Sequence, residues 1–235
     1  MNIATPGAAE RTRAILEDLE AVRENLLALS DDIWDSIEHN DPEALEEGVD
    51  FKRAYNTKAA EFDRIATEIS NLVQRYTSIS LESAEETGSD DRQQNERIVA
   101  ELNREQPHAI NEDFTFKRPH GFILQGQGTT GVKTWQRIYE LICRELYRRD
   151  PARFRGLHDD PDLVTNRGNP TVSEDPAILR KALPIADGVY VEANHSANAL
   201  RNVLQKLLAA YDVPLDEVRI FLREDRDAGG GDHVV

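Results

Sequence analysis

The sequence predicts an α+β protein: an N-terminal antiparallel helical hairpin of coiled-coil character, then a small mixed or antiparallel sheet domain with two covering helices. Three observations carry this. Apolar residues recur at alternating steps of four and three over residues 15–33 and again over 55–76, the signature of one helix face. From Phe114 onward the texture changes to short apolar runs separated by glycine turns, which reads as strands. Charge divides the chain in the same way. Residues 1–113 hold 27 acids and 11 bases, while residues 114–235 hold 17 of each. The whole net charge of −16 therefore lies in the first half, and the halves read as separate bodies.

The first seam is Ile15, Leu19, Val22, Leu26, Leu29 and Ile33, continued by Trp34 and Ile37. The second is Tyr55, Ala59, Phe62, Ala66, Ile69, Val73 and Tyr76, widened by Ile65 and Leu72. Between them Asp41 is a good N-cap and Pro42 suits the first helical position. Gly48 would kink the second helix or admit a close neighbour. Three heptads per helix are marginal alone, so the seams are expected to pair with a second copy or with another protein. The alternative is a hairpin that packs on its own second half.

Domain bounds follow: a hairpin over 1–80, a polar linker with a short helix over 81–107, an α+β domain over 108–225, and a flexible tail over 226–235. In the α+β domain, strands are expected at 114–116, 121–125, 183–185, 189–192 and 218–222. Thr134 and Ser196 are N-caps of two amphipathic helices. Asp187-Gly188 is a two-residue hairpin signal.

Several classes of function are disfavoured. The single cysteine, Cys143, excludes a disulfide framework and a multi-cysteine metal site, and reads as a buried thiol. Residues 1–9 carry no basic patch followed by an apolar core, so a secretory leader is not expected. No membrane span is expected either, and the chain reads as cytoplasmic. Only six of the 28 basic residues are lysines, as in a high-salt cytosol or a GC-rich prokaryotic genome. The six histidines are scattered without helical ligand spacing, so no metal and no cofactor is expected. There is no nucleophile elbow and no phosphate loop ending in Gly-Lys-Ser/Thr. The expectation is a protein without catalytic residues.

Three constellations remain. Gly126-Gln-Gly-Thr-Thr-Gly131 has dinucleotide-binding spacing. The following helix starts only at Thr134, however, so a glycine-rich hairpin turn is the better reading. The span 117–155 holds nine bases against three acids. Within it Lys117, Arg118, Lys133, Arg137, Arg144, Arg148 and Arg149 are candidates for a phosphate-binding face, with Trp135 or His120 as stacking partners. The competing reading is a patch that docks on acidic protein. Finally, His195 and Ser196 stand where a strand meets a helix start, a setting for an anion or simply for a cap. The expected function is a non-catalytic oligomeric accessory protein. It would associate through its coiled coil and bind nucleic acid in a regulatory, genome-maintenance or defence assembly. The alternatives are a pure protein–protein adaptor and a nucleotide-binding module or enzyme using the Gly126–Gly131 turn.

Overall fold

The computed structural model describes residues 6–79, 86–87, 92–164 and 168–225. The chain divides into two units, Met1–Ala84 and Glu85–Val235. The tail expected over 226–235 lies outside the described residues, as does most of 80–91.

The first unit is the expected hairpin, built from α1 (Pro6–Asp35) and α2 (Pro42–Thr77). The Asp41 carboxylate accepts the Glu43 N–H at 3.0 Å and Pro42 opens the helix, as the local chemistry requires. Helix α2 runs unbroken through Gly48. This glycine lets Ile37 lie against the helix: a Cβ there would stand 2.3 Å from Ile37 Cδ1.

On α1 the most buried line lies one residue from the expected seam, whereas on α2 the buried Ala66 and the contacting Tyr55 belong to the expected seam itself. Along α1 the buried side chains are Leu16, Ala21, Arg23, Glu24, Ala28 and Ser30; of these, Leu16, Arg23 and Ser30 stand one position after Ile15, Val22 and Leu29. Polar groups fill the contact. Lys52 Nζ donates to the Ser30 carbonyl at 2.7 Å, and the Tyr55 hydroxyl donates to the Leu26 carbonyl at 2.8 Å. The buried Arg23 guanidinium reaches Glu20 at 3.2 Å and Asp63 at 3.5 Å. Periodicity assigns Arg23, Ser30 and Lys52 to water, which is why it misses their part in a contact that Tyr55 and Ala66 make from within the expected seam.

The second unit begins earlier than the expected boundary at 108. Helix α3 (Arg92–Leu102) and strand β1 (Glu86–Thr87) belong to it, because Ile98 and Leu102 are buried against Ile123 and Phe221. Two antiparallel sheets replace the single sheet expected. The larger has the order β1-β4-β3-β8-β2, with β2 Pro107–Ala109, β3 Pro119–Leu124, β4 Gln127–Thr130 and β8 Val218–Leu222. The smaller has the order β5-β7-β6, with β5 Val172–Ser173, β6 Ala182–Ala186 and β7 Val189–Glu192. Helix α4 (Trp135–Arg149) touches both β3 and β6. With α5 (Pro151–Gly156) and α6 (Ala197–Ala210) it unites both sheets in one core, from Phe122, Leu124 and Ile220 to Val172, Ile185 and Val191. Tyr139 lies in this core beside Cys143, both fully buried, and burial pushes the ionisation of both upward.

Residues 114–116 are not a strand. The Asp113 carboxylate accepts both the N–H and the hydroxyl of Thr115, at 2.9 and 2.7 Å. Phe116 then turns at φ 58°. A side-chain acceptor has displaced the strand partner, the competition expected of aspartate.

Candidate functional site

Four arginines of the expected phosphate-binding face lie on α4, but carboxylates are threaded between them. Glu140 accepts from Arg137 at 2.6 Å and from Arg144 at 2.7 Å. Glu145 accepts from Arg148 at 2.9 Å and from Arg149 at 2.8 Å, which lowers the Glu145 pKa against the opposing cost of burial. Arg149 also holds the Gln125 side chain, and Arg144 reaches the Pro184 carbonyl at 3.3 Å. The 3- and 4-residue spacings of Arg137, Glu140 and Arg144 are visible in the sequence, and they were the signal for this ladder. The Arg137 side chain is only 18% exposed, whereas that of Arg148 is 72% exposed.

Lys117 and Arg118 lead into β3. The Arg118 N–H donates to Glu224 at 3.1 Å, and the Lys117 carbonyl takes the Trp135 indole N–H at 2.8 Å. Trp135 is buried against Phe114, with ring centroids 4.4 Å apart. His120 is buried too, 3.5 Å from Glu105. Neither ring presents a face to a base. Lys133 lies half-buried just before the Thr134 cap.

The glycine motif is a β-hairpin. Gln125 and Gly126 both have positive φ, 49° and 78°, as a two-residue turn of this twist demands. Asn95 of α3 grips it, donating to the Gly126 carbonyl at 2.9 Å and accepting the Gly128 N–H at 2.8 Å. Gly128 admits α3: a Cβ there would stand 2.8 Å from Ile98 Cγ2. Helix α4 starts beyond β4, so the turn does not aim a helix N-terminus at a phosphate.

Ser196 is buried and caps α6, its hydroxyl accepting the Ala199 N–H at 3.4 Å. His195 is half-buried and lines a cavity of about 500 Å³ with Asn169, Arg180, Asn194 and Lys206. The Glu192 carboxylate at its wall is occupied by the backbone N–H groups of Arg180, Lys181 and Asn194. No cluster of three or more metal-ligating side chains exists among the described residues. No described helix is long and apolar enough to cross a membrane.

The strongest surface feature is on the hairpin. Of the first seam, Ile15, Val22 and Leu29 are exposed and Leu19, Leu26 and Ile33 half-buried. Of the second, Ile69 and Tyr76 are exposed, joined by Phe51, Ile65 and Leu72, while Tyr55, Phe62 and Val73 are half-buried. These eight exposed side chains are 39–78% accessible. Each α1 member stands one position before a buried residue: Ile15 before Leu16, Val22 before Arg23, Leu29 before Ser30. On α2, Ile65 precedes Ala66 and Ile69 precedes Ser70 in the same way. One residue is about 100° of helix. The same rotation on two antiparallel helices brings both stripes to the same side of the hairpin.

Comparison of the chain with protein-family models, with curated proteins and with solved structures finds no match.

Proposed function

We propose that this chain is a non-catalytic assembly protein whose hairpin docks, through its outward apolar face, onto another helical element. The observation that supports it is the shared side of the two stripes. Burying a large aliphatic side chain completely contributes about 1.5–3 kcal/mol, and this face offers six such side chains, with Phe51 and Tyr76, that are only partly covered. Contiguous apolar surface of this kind marks an interaction site. The test is a photo-crosslinking residue at Leu72, with a control at Thr67, an exposed position on the other side of α2. Defined adducts from position 72, absent from position 67 and mapping to a helix of a second copy or another protein, are expected. No adduct at 72, or equal labelling at both, overturns the reading.

A second reading is favoured by one observation: helix α4 carries four arginines against two glutamates. The net positive charge of this helix, with the Arg148 side chain 72% exposed, suits nucleic acid. Its test is a gel shift with Arg144→Glu/Arg148→Glu. Retention should fall together with its salt sensitivity, and unchanged retention removes nucleic acid as a ligand of this face.

A further inference from the structure

The apolar stripe lies in an acidic frame. Over residues 10–79 thirteen acids are exposed, against five bases: Arg11, Arg53, Lys58, Arg64 and Arg75. Three of those five are engaged within α2 itself, Arg53 with Asp50, Lys58 with Glu61 and Arg64 with Glu68, at 3.2, 2.9 and 2.6 Å. Such pairs leave little positive charge to meet a newcomer. Exposed acids meanwhile follow the stripe on both helices: Asp18 and Asp32 on α1 and Glu47 on α2, with Glu61 and Glu68 shared with Lys58 and Arg64. Charges flanking an apolar helical seam set partner choice. Two copies joined face to face would bring these acids against one another, whereas a cationic frame would complement them.

Resting on the docking role proposed above, we infer that the occupant of this face is an amphipathic helix of another protein, with its apolar seam flanked by lysine and arginine, rather than a second copy of this chain. The partner's seam covers Val22, Leu29, Ile65, Ile69 and Leu72, and its flanking cations meet the acidic rows on either side. The apolar contact supplies adhesion. The charges supply selection and make it salt-dependent.

The experiment titrates the full chain with two designed helical peptides of about four heptads, identical in their Leu/Ile seam and differing only in Lys or Glu flanks. Light scattering follows the chain's own mass. The Lys-flanked peptide is expected to bind one to one, and at least about tenfold more weakly at 0.5 M than at 0.05 M salt. The Glu-flanked peptide is expected not to bind. The charge-neutral variant Val22→Ser/Ile69→Ser/Leu72→Ser should weaken the complex at least about tenfold with its helix content unchanged. Leu72→Asp alone, at a well-exposed position, gives a second readout that does not load the fold.

Retention of the Lys-flanked peptide by both variants would mean that diffuse acidity holds it, and overturns the inference. Equal binding of both peptides, or self-association that strengthens with salt, also overturns it and leaves the docking role standing with a second copy as occupant. A chain that stays monomeric and binds neither peptide overturns both.

Discussion

Asn198 shows how one side chain can fix a loop. Its Oδ1 accepts the Phe114 N–H at 2.9 Å, while Nδ2 donates to Asp113 at 2.7 Å and to the Thr115 hydroxyl at 2.8 Å. The bond from Asn198 to Asp113, with those from the Thr115 N–H and hydroxyl, holds the Asp113 pKa down at about 2. Asn198→Ala removes three partners and should cost about 1–3 kcal/mol in urea unfolding. Asn198→Asp should cost more at pH 7, since it sets one carboxylate against another. Equal stability of the two variants would contradict this account. His108 is a second case. Its Nδ1 lies 2.7 Å from Glu112 and its Nε2 2.8 Å from Asp225, and only the imidazolium can donate to both. Burial pulls its pKa down, but the two carboxylates outweigh burial and hold it above 6.5. A raised folded-state pKa contributes stability that is complete below the unfolded value near 6.5 and fades as pH rises through the folded value. His108→Gln should therefore lower Tm more at pH 6 than at pH 9, and a pH-independent difference would refute the assignment.

Elements were legible where their ends carry local chemistry. Asp41-Pro42, Thr134 and Ser196 each start a helix as their side chains dictate, and Asp187-Gly188 joins β6 to β7, with Gly188 at φ 65°. What depends on distant partners was not legible. Strand β2 exists only because residues 107–109 pair with 219–221, and no local pattern announces it. The division into two sheets likewise follows from how α4 and α6 fill the core. Of the candidate sites, the arginine positions were readable from spacing. So was the spacing of Glu140 between them, but the outward turn of part of the apolar seam was not, because the hairpin also meets through Arg23, Ser30 and Gly48, residues that periodicity leaves out. Gly121 tests the packing of the larger sheet. A Cβ there would stand 2.7 Å from the Thr129 carbonyl oxygen and 3.0 Å from Leu102. Backbone cannot yield as a flexible side chain does, so Gly121→Ala should cost about 1–3 kcal/mol. Gly156→Ala, with nothing within 4 Å, should leave Tm nearly unchanged. Similar melting of the two variants would show that the strand accommodates the methyl group.

At the scale of the molecule, 44 acids against 28 bases make self-repulsion a standing cost of compactness. Screening reduces it: the Debye length shrinks from about 10 Å at 0.1 M to about 3 Å at 1 M salt. Tm in KCl should therefore rise between 0.05 and 1 M, even though the exposed pairs on α2 weaken, because each is worth little. A Tm that falls over this range would mean that ion pairs, and not net charge, dominate.

The burial of Cys143 beside Tyr139 has a kinetic consequence. The chain carries one thiol, it is fully buried, and its ionisation is pushed upward, so an alkylating reagent meets it only when the second unit opens. Labelling then works as a stopwatch. Fast at a frayed surface and slow in a sealed core, its rate at saturating reagent reads the opening of this one core, whatever the hairpin is doing.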